Sequence, residues 1–420
     1  MIPDMYTSAL NLADGLPGKL TFRWHRQIRE ISAPWAECFG ESDVLRSYKF
    51  NQAVEDAQLE DVEVHYLVGE DEKGVACLVP CFSYKVGLVS VAKPWVQRTV
   101  GWMRKLFPQF LYIRLFVVGS PVSTCGDLLG LKDLSDARRW NDQKIKTLFK
   151  EIIRKSSSLR IKFLLIKEFE AEVAERLRTP LAKDFFFVES LPTTYLTLPS
   201  REQGVYSEAI RSKYRNKLKK RKSVGAQNNL TWEIVPTCKG QEAAIYGLYQ
   251  QVLKNSDFVF ERLNSNFFSQ VDRTLGDHSF FVLGYRLING EKKMVACELV
   301  VCDSTTLHPL YSGFDYWVKR DSDLYFNAFY TIIEESERRG LGRVHLGQTA
   351  YEVKAELGAT CTHLFLGVHH SNPLMRQILW MIRKHLFPIV HFPDRDVFAQ
   401  PPPKRVNRAP STKSSVPAGK

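Results

Sequence analysis

Hydrophobic and polar residues alternate over several short runs in the second half of the chain, and stretches with helical spacing lie between these runs. Period-two alternation predicts strands, whereas apolar residues that recur at helical spacing predict helices. The predicted order is a strand "TWEIV" (231–235), helices near 240–254 and 264–275, strands "SFFVLGYRLI", "KMVACELVVC" and "TLHPLYSGF", a long helix at about 322–339, a strand "RVHLG", a short helix at 350–357 and a strand "THLFLGVH". Asn289-Gly290 joins the first two of the three central strands and is typical of a two-residue hairpin turn.

The first half of the chain repeats this order of elements. It predicts a strand "LTFRW", a helix at 42–54, hairpin strands "VHYLV" and "GVACLVPCFSY", a strand "FLYIRLFVVG", a helix at 136–155, a strand "RIKFLLIKE", a helix at 169–178 and closing strands "FFFVES" and "TYLTL". The sequence therefore predicts an α/β (α+β) protein of two tandem units, each with a mixed, mainly antiparallel central sheet flanked by helices. The predicted boundaries are 1–200, with an insertion near 86–109, then 201–395, and a disordered basic tail at 396–420.

Composition indicates a folded protein, and the net charge favours anionic partners. A chain of 420 residues usually forms more than one core, and 44% hydrophobic with 25% charged residues is typical of a globular protein. The net charge of +12 favours nucleic acid, phosphate-bearing co-substrates or acidic lipid without selecting one of them. The eight cysteines show no paired CxxC spacing, so we expect no metal site. Without a leader or a long apolar window, we expect a cytoplasmic protein.

Two stretches resemble a known family. "YSEAIRSKYRNKLKKRK" (206–222) is similar to a basic helix that precedes the second unit, and residues 312–359 are similar to the core that ends in a Lys-x-x-x-Gly corner, in the FemAB-related (peptidoglycan-bridge and CelD-like) branch of the GNAT acyltransferase superfamily. The order of elements also resembles the GNAT fold. The resemblance implies an N-acyltransferase of cell-envelope or secondary-metabolite biosynthesis, which uses an acyl-CoA or an aminoacyl-tRNA, a small-molecule amine acceptor and no metal.

The corner "HLGQTAYEVKAELG" carries the first group of candidate site residues. Tyr351 and Lys354 are three positions apart and share one helix face. In a GNAT sheet the strand with Leu346 diverges from its neighbour, and the corner would line that gap. Lys354 and Tyr351 would then stabilise the tetrahedral intermediate, and Gln348 and Thr349 would bind substrate. The alternative is that Thr349 caps the helix and Lys354 lies on the surface.

Strand residues supply the candidate base and further substrate contacts. Asp315 and His308 are candidates for the general base, although the first could be a turn residue and the second could fill the bend before a proline. Tyr311 and Glu298 are candidates for substrate binding. Glu298 lies in the apolar run "VACELVV", where a buried carboxylate is costly, so an outward-facing edge position is its alternative.

The long helix and its flanks lack a recognisable phosphate loop. Asp321 or Ser322 is predicted to cap the helix, and Gly340 to end it in the left-handed conformation. GNAT enzymes typically bind the CoA pyrophosphate at the start of this helix, but "DYWVKRDSDLY" has no glycine run and "ERRGLG" lies at the other end. This weakens the case for acyl-CoA as the donor.

Basic and aromatic segments supply a contrasting hypothesis. Eight basic residues and no acidic ones lie between Arg211 and Lys222, and Arg215 and Lys219 are candidates for anion binding. This helix could bind tRNA or acidic lipid, or could simply be a solvated face. The protein would then be a non-catalytic GNAT scaffold that binds RNA or membrane lipid. "VAKPWVQRTVGWMRKLFPQF" and "NPLMRQILWMIRKHLFPIVHF" add a second hypothesis of peripheral contact with an acidic membrane at its inner face. Packing between domains is the alternative for both segments, and the oligomeric state stays open.

Overall fold

The computed structural model describes residues 20–87, 112–122, 128–136, 139–256, 261–318 and 322–400, which form two mixed sheets flanked by helices. The predicted insertion near 86–109 lies almost entirely outside these residues. In the first half the elements are β1 (Thr21–His25), α1 (Ser32–Phe39), α2 (Tyr48–Asp56), β2 (Val62–Asp71), β3 (Gly74–Gly87), β4 (Tyr112–Val118), β5 (Gly130–Leu131), α3 (Asp142–Ser158), β6 (Phe163–Glu170), α4 (Ala171–Leu181), β7 (Phe186–Glu189) and β8 (Thr193–Thr197).

The second half holds the remaining elements. They are α5 (Tyr206–Ala209), α6 (Ser212–Gln227), β9 (Leu230–Val235), α7 (Glu242–Asn255), α8 (Ser265–Leu275), β10 (Ser279–Ile288), β11 (Glu291–Cys302), β12 (Thr306–Phe314), α9 (Leu324–Arg338), β13 (Arg343–Gly347), α10 (Tyr351–Glu356), β14 (Thr360–Thr362), β15 (Leu364–His370), α11 (Pro373–Met381) and α12 (Arg383–Leu386). Among the described residues, no helix is both long enough and apolar enough to cross a membrane.

The two sheets exchange one strand each. The first sheet has the order β1-β2-β3-β4-β6-β15-β7, and the second has the order β14-β8-β13-β12-β11-β10-β9. Strand β8 therefore leaves the first half and pairs with β13 and β14, while β15 returns to the first sheet between β6 and β7. The sequence predicted "TYLTL" as a closing strand of the first unit and "THLFLGVH" as a strand of the second. Both strands are present, but each pairs in the other sheet, because alternation identifies a strand and not its partner.

The central sheet of the second half is covered on both faces. Helices α7 and α8 lie on one face, where Phe267, Phe281 and Leu299 are buried in one cluster. Helices α6 and α9 lie on the other face, where the buried residues include Val300 and Ile332. Residues on a strand alternate between these faces, and this alternation decides which side chains of β11 and β12 meet.

Two turns follow the sequence prediction. Asn289 and Gly290 both have positive φ, 53° and 83°, as a two-residue hairpin turn requires. Gly340 has φ of 71° and ends α9 in the left-handed conformation. The predicted cap of α9 differs, because Asp323 occupies the N-cap position without a side-chain cap bond. Instead the Asn327 amide donates hydrogen bonds to the carbonyls of Ser322 and Asp323.

The first residues of the predicted tail pack against the body of the protein. Val397 and Phe398 are buried in the cluster with α5 and α9. Arg211 donates a backbone hydrogen bond to Val397, and Ile210 forms an isolated bridge with Phe398. The division at about residue 200 remains a prediction, as does disorder in the rest of the tail at 401–420, which lies outside the described residues.

Strands β12 and β13 diverge after a short parallel contact. They pair only through Thr306 with Arg343 and Leu307 with Val344. Beyond these pairs β12 stays with β11, whereas β13 continues beside β8. The predicted divergence of the strand that carries Leu346 is present, and it leaves a gap in the middle of the sheet.

Candidate functional site

Lys354 points into the protein at this gap. Its side chain belongs to α10 and is only 2% exposed, so the alternative of a surface lysine is wrong. Its Nζ donates a hydrogen bond to the Gln348 carbonyl at 2.6 Å. The turn that leads into α10 holds this carbonyl in place with a strained backbone, because Thr349 and Ala350 have φ of 64° and 49°. Thr349 is exposed and does not cap the helix.

Glu298 is a buried carboxyl group on β11, a strand with a neighbour on each side. Its exposure is 0%, so the alternative of an outward-facing edge position is wrong. Ser312 of β12 donates a hydrogen bond to Oε2 at 2.8 Å, while Oε1 has no hydrogen-bond partner among the described residues. Burial raises the pKa of Glu298 to about 8, although the Ser312 hydrogen bond and the positive charge of Lys354 act in the opposite direction.

The raised pKa of Glu298 predicts an unusual pH dependence of stability. The carboxyl group has a pKa near 4.5 when exposed and about 8 in the fold. Between these values the folded protein holds one proton more than the unfolded chain, so stability falls as the pH rises from about 4.5 to about 8. Glu298→Gln removes this loss, which is up to roughly 4 to 5 kcal/mol in size. We expect denaturant unfolding to show that Glu298→Gln raises the free energy of unfolding, relative to the native protein, by more at pH 9 than at pH 5. A difference in free energy that is the same at both pH values would contradict this prediction.

Four polar side chains form a buried chain of hydrogen bonds beside the gap. Asp303 contacts His308 Nε2 at 3.1 Å, His308 Nδ1 lies 3.1 Å from His345 Nδ1, and His345 Nε2 lies 2.7 Å from the Thr193 hydroxyl. Burial opposes ionisation of Asp303, but hydrogen bonds from His308 and Thr305 outweigh it and lower the pKa of Asp303. Burial above all, with the positive charge of Lys354 acting in the same direction, holds the pKa of His345 well below its usual value.

One assignment of protons satisfies every member of this chain. The ionised Asp303 accepts from His308 Nε2–H, His308 Nδ1 accepts from His345 Nδ1–H, and His345 Nε2 accepts from the Thr193 hydroxyl. These bonds connect β12, β13 and β8 at the position where main-chain pairing between β12 and β13 has ended. The two imidazoles therefore fix how far the strands diverge. His308 is a site residue predicted from the sequence and His345 is not, although each imidazole interrupts an apolar strand.

The exchanged strand β8 and the residues before it form one wall of the gap. Gln348 Nε2 donates to the Leu191 carbonyl at 2.8 Å, and the Tyr351 hydroxyl donates to the Pro192 carbonyl at 2.8 Å. These two predicted site residues thus lie beside Lys354, and their side chains hold the start of β8. The first half of the chain contributes directly to the site of the second half.

Two predicted residues make contacts with other groups. Tyr311 projects to the face covered by α7 and α8, where its hydroxyl donates to Glu261 at 2.6 Å. Ser312, its neighbour, shares the opposite face with Glu298 because side chains alternate along a strand. Asp315 follows the end of β12, where it accepts a hydrogen bond from the backbone of Trp317 at 3.0 Å. It is therefore a turn residue, one of the two alternatives left open by the sequence.

The basic helix α6 is mainly an anchoring element. Arg215, a predicted anion contact, donates to the backbone carbonyls of Ser207, Glu208 and Ile210. Lys217 and Arg221 lie 2.7 and 3.1 Å from Glu356 of α10. Lys219 is exposed. Several cations of this helix are thus used in contacts within the protein, and the prediction of anion binding by Arg215 has a structural alternative.

The described start of α9 does not fit a typical pyrophosphate site. The acidic Asp323 takes the N-cap position, and the Asn327 amide covers the adjacent carbonyls. Helix α6 packs here as well, with the Arg221 guanidinium 3.3 Å from the centre of the Phe326 ring. In the described part of the chain, no group of three His, Cys, Asp or Glu side chains is arranged to hold a metal ion.

A separate cavity opens in the first half of the protein. Its volume is about 260 Å³, and its lining includes Arg26, Glu55, Gln58, Leu59 and Pro121. Glu55 already accepts hydrogen bonds from the Tyr66 hydroxyl at 2.6 Å and the Ile28 backbone at 3.0 Å. The Glu55 carboxylate therefore already bonds to neighbouring residues, whereas Glu298 Oε1 has no hydrogen-bond partner among the described residues.

Comparisons with known proteins agree with this architecture. Residues 211–355 match the family model described as an acetyltransferase (GNAT) domain. The crystal structure of FemX matches with a TM-score of 0.53 and 10% identity, covering 86% of this chain and 99% of that chain. A tandem GNAT protein from the clavulanic acid biosynthesis pathway matches with a TM-score of 0.50 and 8% identity, covering 84% and 99%. A search of curated proteins found no match.

The matched segment runs from α6 to α10 and includes Glu298, the gap and Lys354. This part of the chain is therefore similar to a GNAT acetyltransferase domain. At identities this low the structural likenesses show the fold alone, and that fold is a tandem of two GNAT-like units. The predicted resemblance to the FemAB-related branch is confirmed at this level.

Proposed function

We propose that this protein is an N-acyltransferase that moves an acyl group from an activated donor to a small-molecule amine in the gap between β12 and β13. The proposal rests on one observation above all. Glu298 is a buried carboxyl group with one oxygen that has no partner among the described residues, and the buried Lys354 lies close enough for its charge to act on the pKa of Glu298, at the position where the sheet opens. Buried ionisable groups with perturbed pKa values are typical of catalytic sites.

The chemistry follows from these two groups. The amine nitrogen attacks the acyl carbonyl carbon, a C–N bond forms, and the carbonyl oxygen takes the negative charge. The Lys354 ammonium stabilises this oxyanion, and Glu298 Oε1 accepts the proton that the amine loses. The tetrahedral intermediate then collapses, the bond from carbon to the donor's sulfur or oxygen breaks, and the leaving group receives the proton held by Glu298.

The other predicted residues act by positioning. Tyr351 and Gln348 hold the wall formed by the residues before β8. His308 reaches the site only through His345 and Thr193, so it fixes the gap and does not itself meet the amine. We assign the role of general base to Glu298 in place of Asp315, because Asp315 is bonded in the turn after β12.

The donor and pathway are the finer part of the proposal. GNAT domains generally use acyl-CoA, and the domain match supports testing acyl-CoA first. The unusual start of α9 keeps aminoacyl-tRNA as the alternative donor. The resemblance of residues 206–222 and 312–359 to the FemAB-related branch favours an amine acceptor in cell-envelope or secondary-metabolite biosynthesis.

The proposal can be tested with a panel of donors on the full chain. Acyl-CoAs, free CoA, aminoacyl-tRNA and deacylated tRNA are compared by thermal shift, and amine acylation is followed by mass spectrometry. We expect one acylated donor to raise the melting temperature more than its deacylated form, and its acyl group to appear on an amine. Equal stabilisation by every polyanion, including heparin, with no amide product from any donor would contradict it.

A non-catalytic scaffold that binds RNA or lipid through α6 has less support. Lys217 and Arg221 face Glu356, Lys222 pairs with Glu334, and Arg211 pairs with Asp396. Phosphate binding by this helix would have to compete with these pairs. The same panel separates the two hypotheses, since a scaffold would bind charged and uncharged tRNA alike.

A further inference from the structure

Exposed apolar side chains are concentrated at one place, the helices α11 and α12 and the residues just after them. Of the eleven exposed large hydrophobic residues among those the structure describes, seven lie between Leu374 and Ile389. Helices α11 and α12 contain no buried residue. Large exposed apolar patches on soluble proteins usually mark interaction sites. We refer to residues 373–389 as the α11–α12 surface.

This surface is held firmly against the first sheet by its other side. Leu379 and Phe387 pack on the cluster formed by Phe186, Val188 and Val368 of β7 and β15. The Arg376 guanidinium donates to the Lys183 carbonyl at 2.7 Å, and Asn372 caps α11 through hydrogen bonds to the next turn. The exposed side chains are therefore presented on a fixed support, so substitutions among them should not unfold the protein.

The charges on this surface are of one sign. No acidic residue occurs from Ser371 to Phe392, whereas Arg376, Arg383 and Lys384 are basic. The Arg383 guanidinium lies 4.3 Å from the centre of the Trp380 ring, which is 47% exposed. Trp380, Met381 and Leu386 would enter the boundary between lipid headgroups and acyl chains, while the cations would meet phosphate groups.

We infer that the α11–α12 surface docks the protein on membranes that contain anionic phospholipid. This partner fits better than a second copy of the chain, because cations interleaved with apolar side chains would face each other across a symmetric contact. The inference goes beyond the proposed acyl transfer, and its test does not depend on that activity. It also explains why a segment with exposed Trp, Met, Leu and Ile carries only basic charges.

Vesicle binding tests the inference directly. The full chain is mixed with vesicles of phosphatidylcholine alone or of phosphatidylcholine with phosphatidylglycerol, and bound protein is measured by flotation. We expect binding to the anionic vesicles, weakened by salt. Trp380→Ser combined with Met381→Ser should lower the vesicle partition constant by roughly tenfold. Lys384→Glu should weaken binding to anionic vesicles further.

Trp317→Ser supplies the matched control, since Trp317 is 91% exposed but lies in the turn after β12. Its partition constant should equal that of the native protein. Equal loss in both variants, or no vesicle binding by the native chain, would overturn the inference. A native chain that is dimeric by light scattering and becomes monomeric on Trp380→Ser with Met381→Ser, without vesicle binding, would assign the surface to a second copy instead.

Discussion

Glu298→Gln is expected to lower kcat/KM for acyl transfer by roughly a thousandfold, the size of a general-base contribution. Gln keeps the shape of the side chain and can still accept the hydrogen bond from Ser312. It cannot take a proton from the attacking amine. Because Glu298 must lose its own proton first, the native enzyme should gain activity as the pH rises through about 8, and the variant should lack this rise.

The acceptor amine also titrates, so both proteins must be assayed with the same acceptor over the same pH range. The rise in activity caused by deprotonation of the amine is then the same for both proteins, so the remaining difference between their pH profiles reports the ionisation of Glu298. Circular dichroism at each pH confirms that the variant is folded. A variant within tenfold of the native kcat/KM, with an unchanged pH profile, would remove Glu298 from the mechanism.

Lys354→Met should cause the second large loss, roughly a hundredfold to a thousandfold in kcat, because it removes the cation that stabilises the oxyanion. It should also move the pH profile. The positive charge of Lys354 lowers the pKa of Glu298, so its removal raises that pKa. The activity that remains should therefore appear at higher pH than in the native enzyme.

Lys73→Met is the control for the loss of a lysine charge, since Lys73 is exposed in the turn between β2 and β3. It should leave both kcat and the pH profile unchanged. A Lys354 variant that loses activity with no shift of the profile would place its ammonium away from Glu298. A loss of the same size in Lys73→Met would mean that overall charge, and not the gap, controls the rate.

Local patterns predicted those features that depend on residues close together in sequence. The hairpin at Asn289-Gly290 and the end of α9 at Gly340 depend on residues that tolerate positive φ, and both are present. The position of Lys354 beside Tyr351 follows from helical spacing. The resemblance to the GNAT fold supplied the divergence of β13 from β12, which alternation alone does not contain.

Features that depend on distant partners could not be predicted in this way. An acid in an apolar strand such as β11 can lie on an edge or in the interior, and only the sheet order places Glu298 in the interior. The exchange of β8 and β15 brings Thr193 to His345, 152 residues further along the chain. The bulge between Leu299 and Val300 changes which side chains of β12 share a face. Tyr311 lies beside this bulge, on the face opposite to Glu298.

A crystal structure with a bisubstrate analogue, in which the acyl group of the donor is joined to the acceptor amine, tests the central claim most directly. We predict that the analogue lies between β12 and β13, with its carbonyl oxygen about 3 Å from Lys354 Nζ and its nitrogen facing Glu298 Oε1. An analogue bound instead in the cavity lined by Arg26, Glu55 and Gln58, with the gap unfilled, would contradict the account.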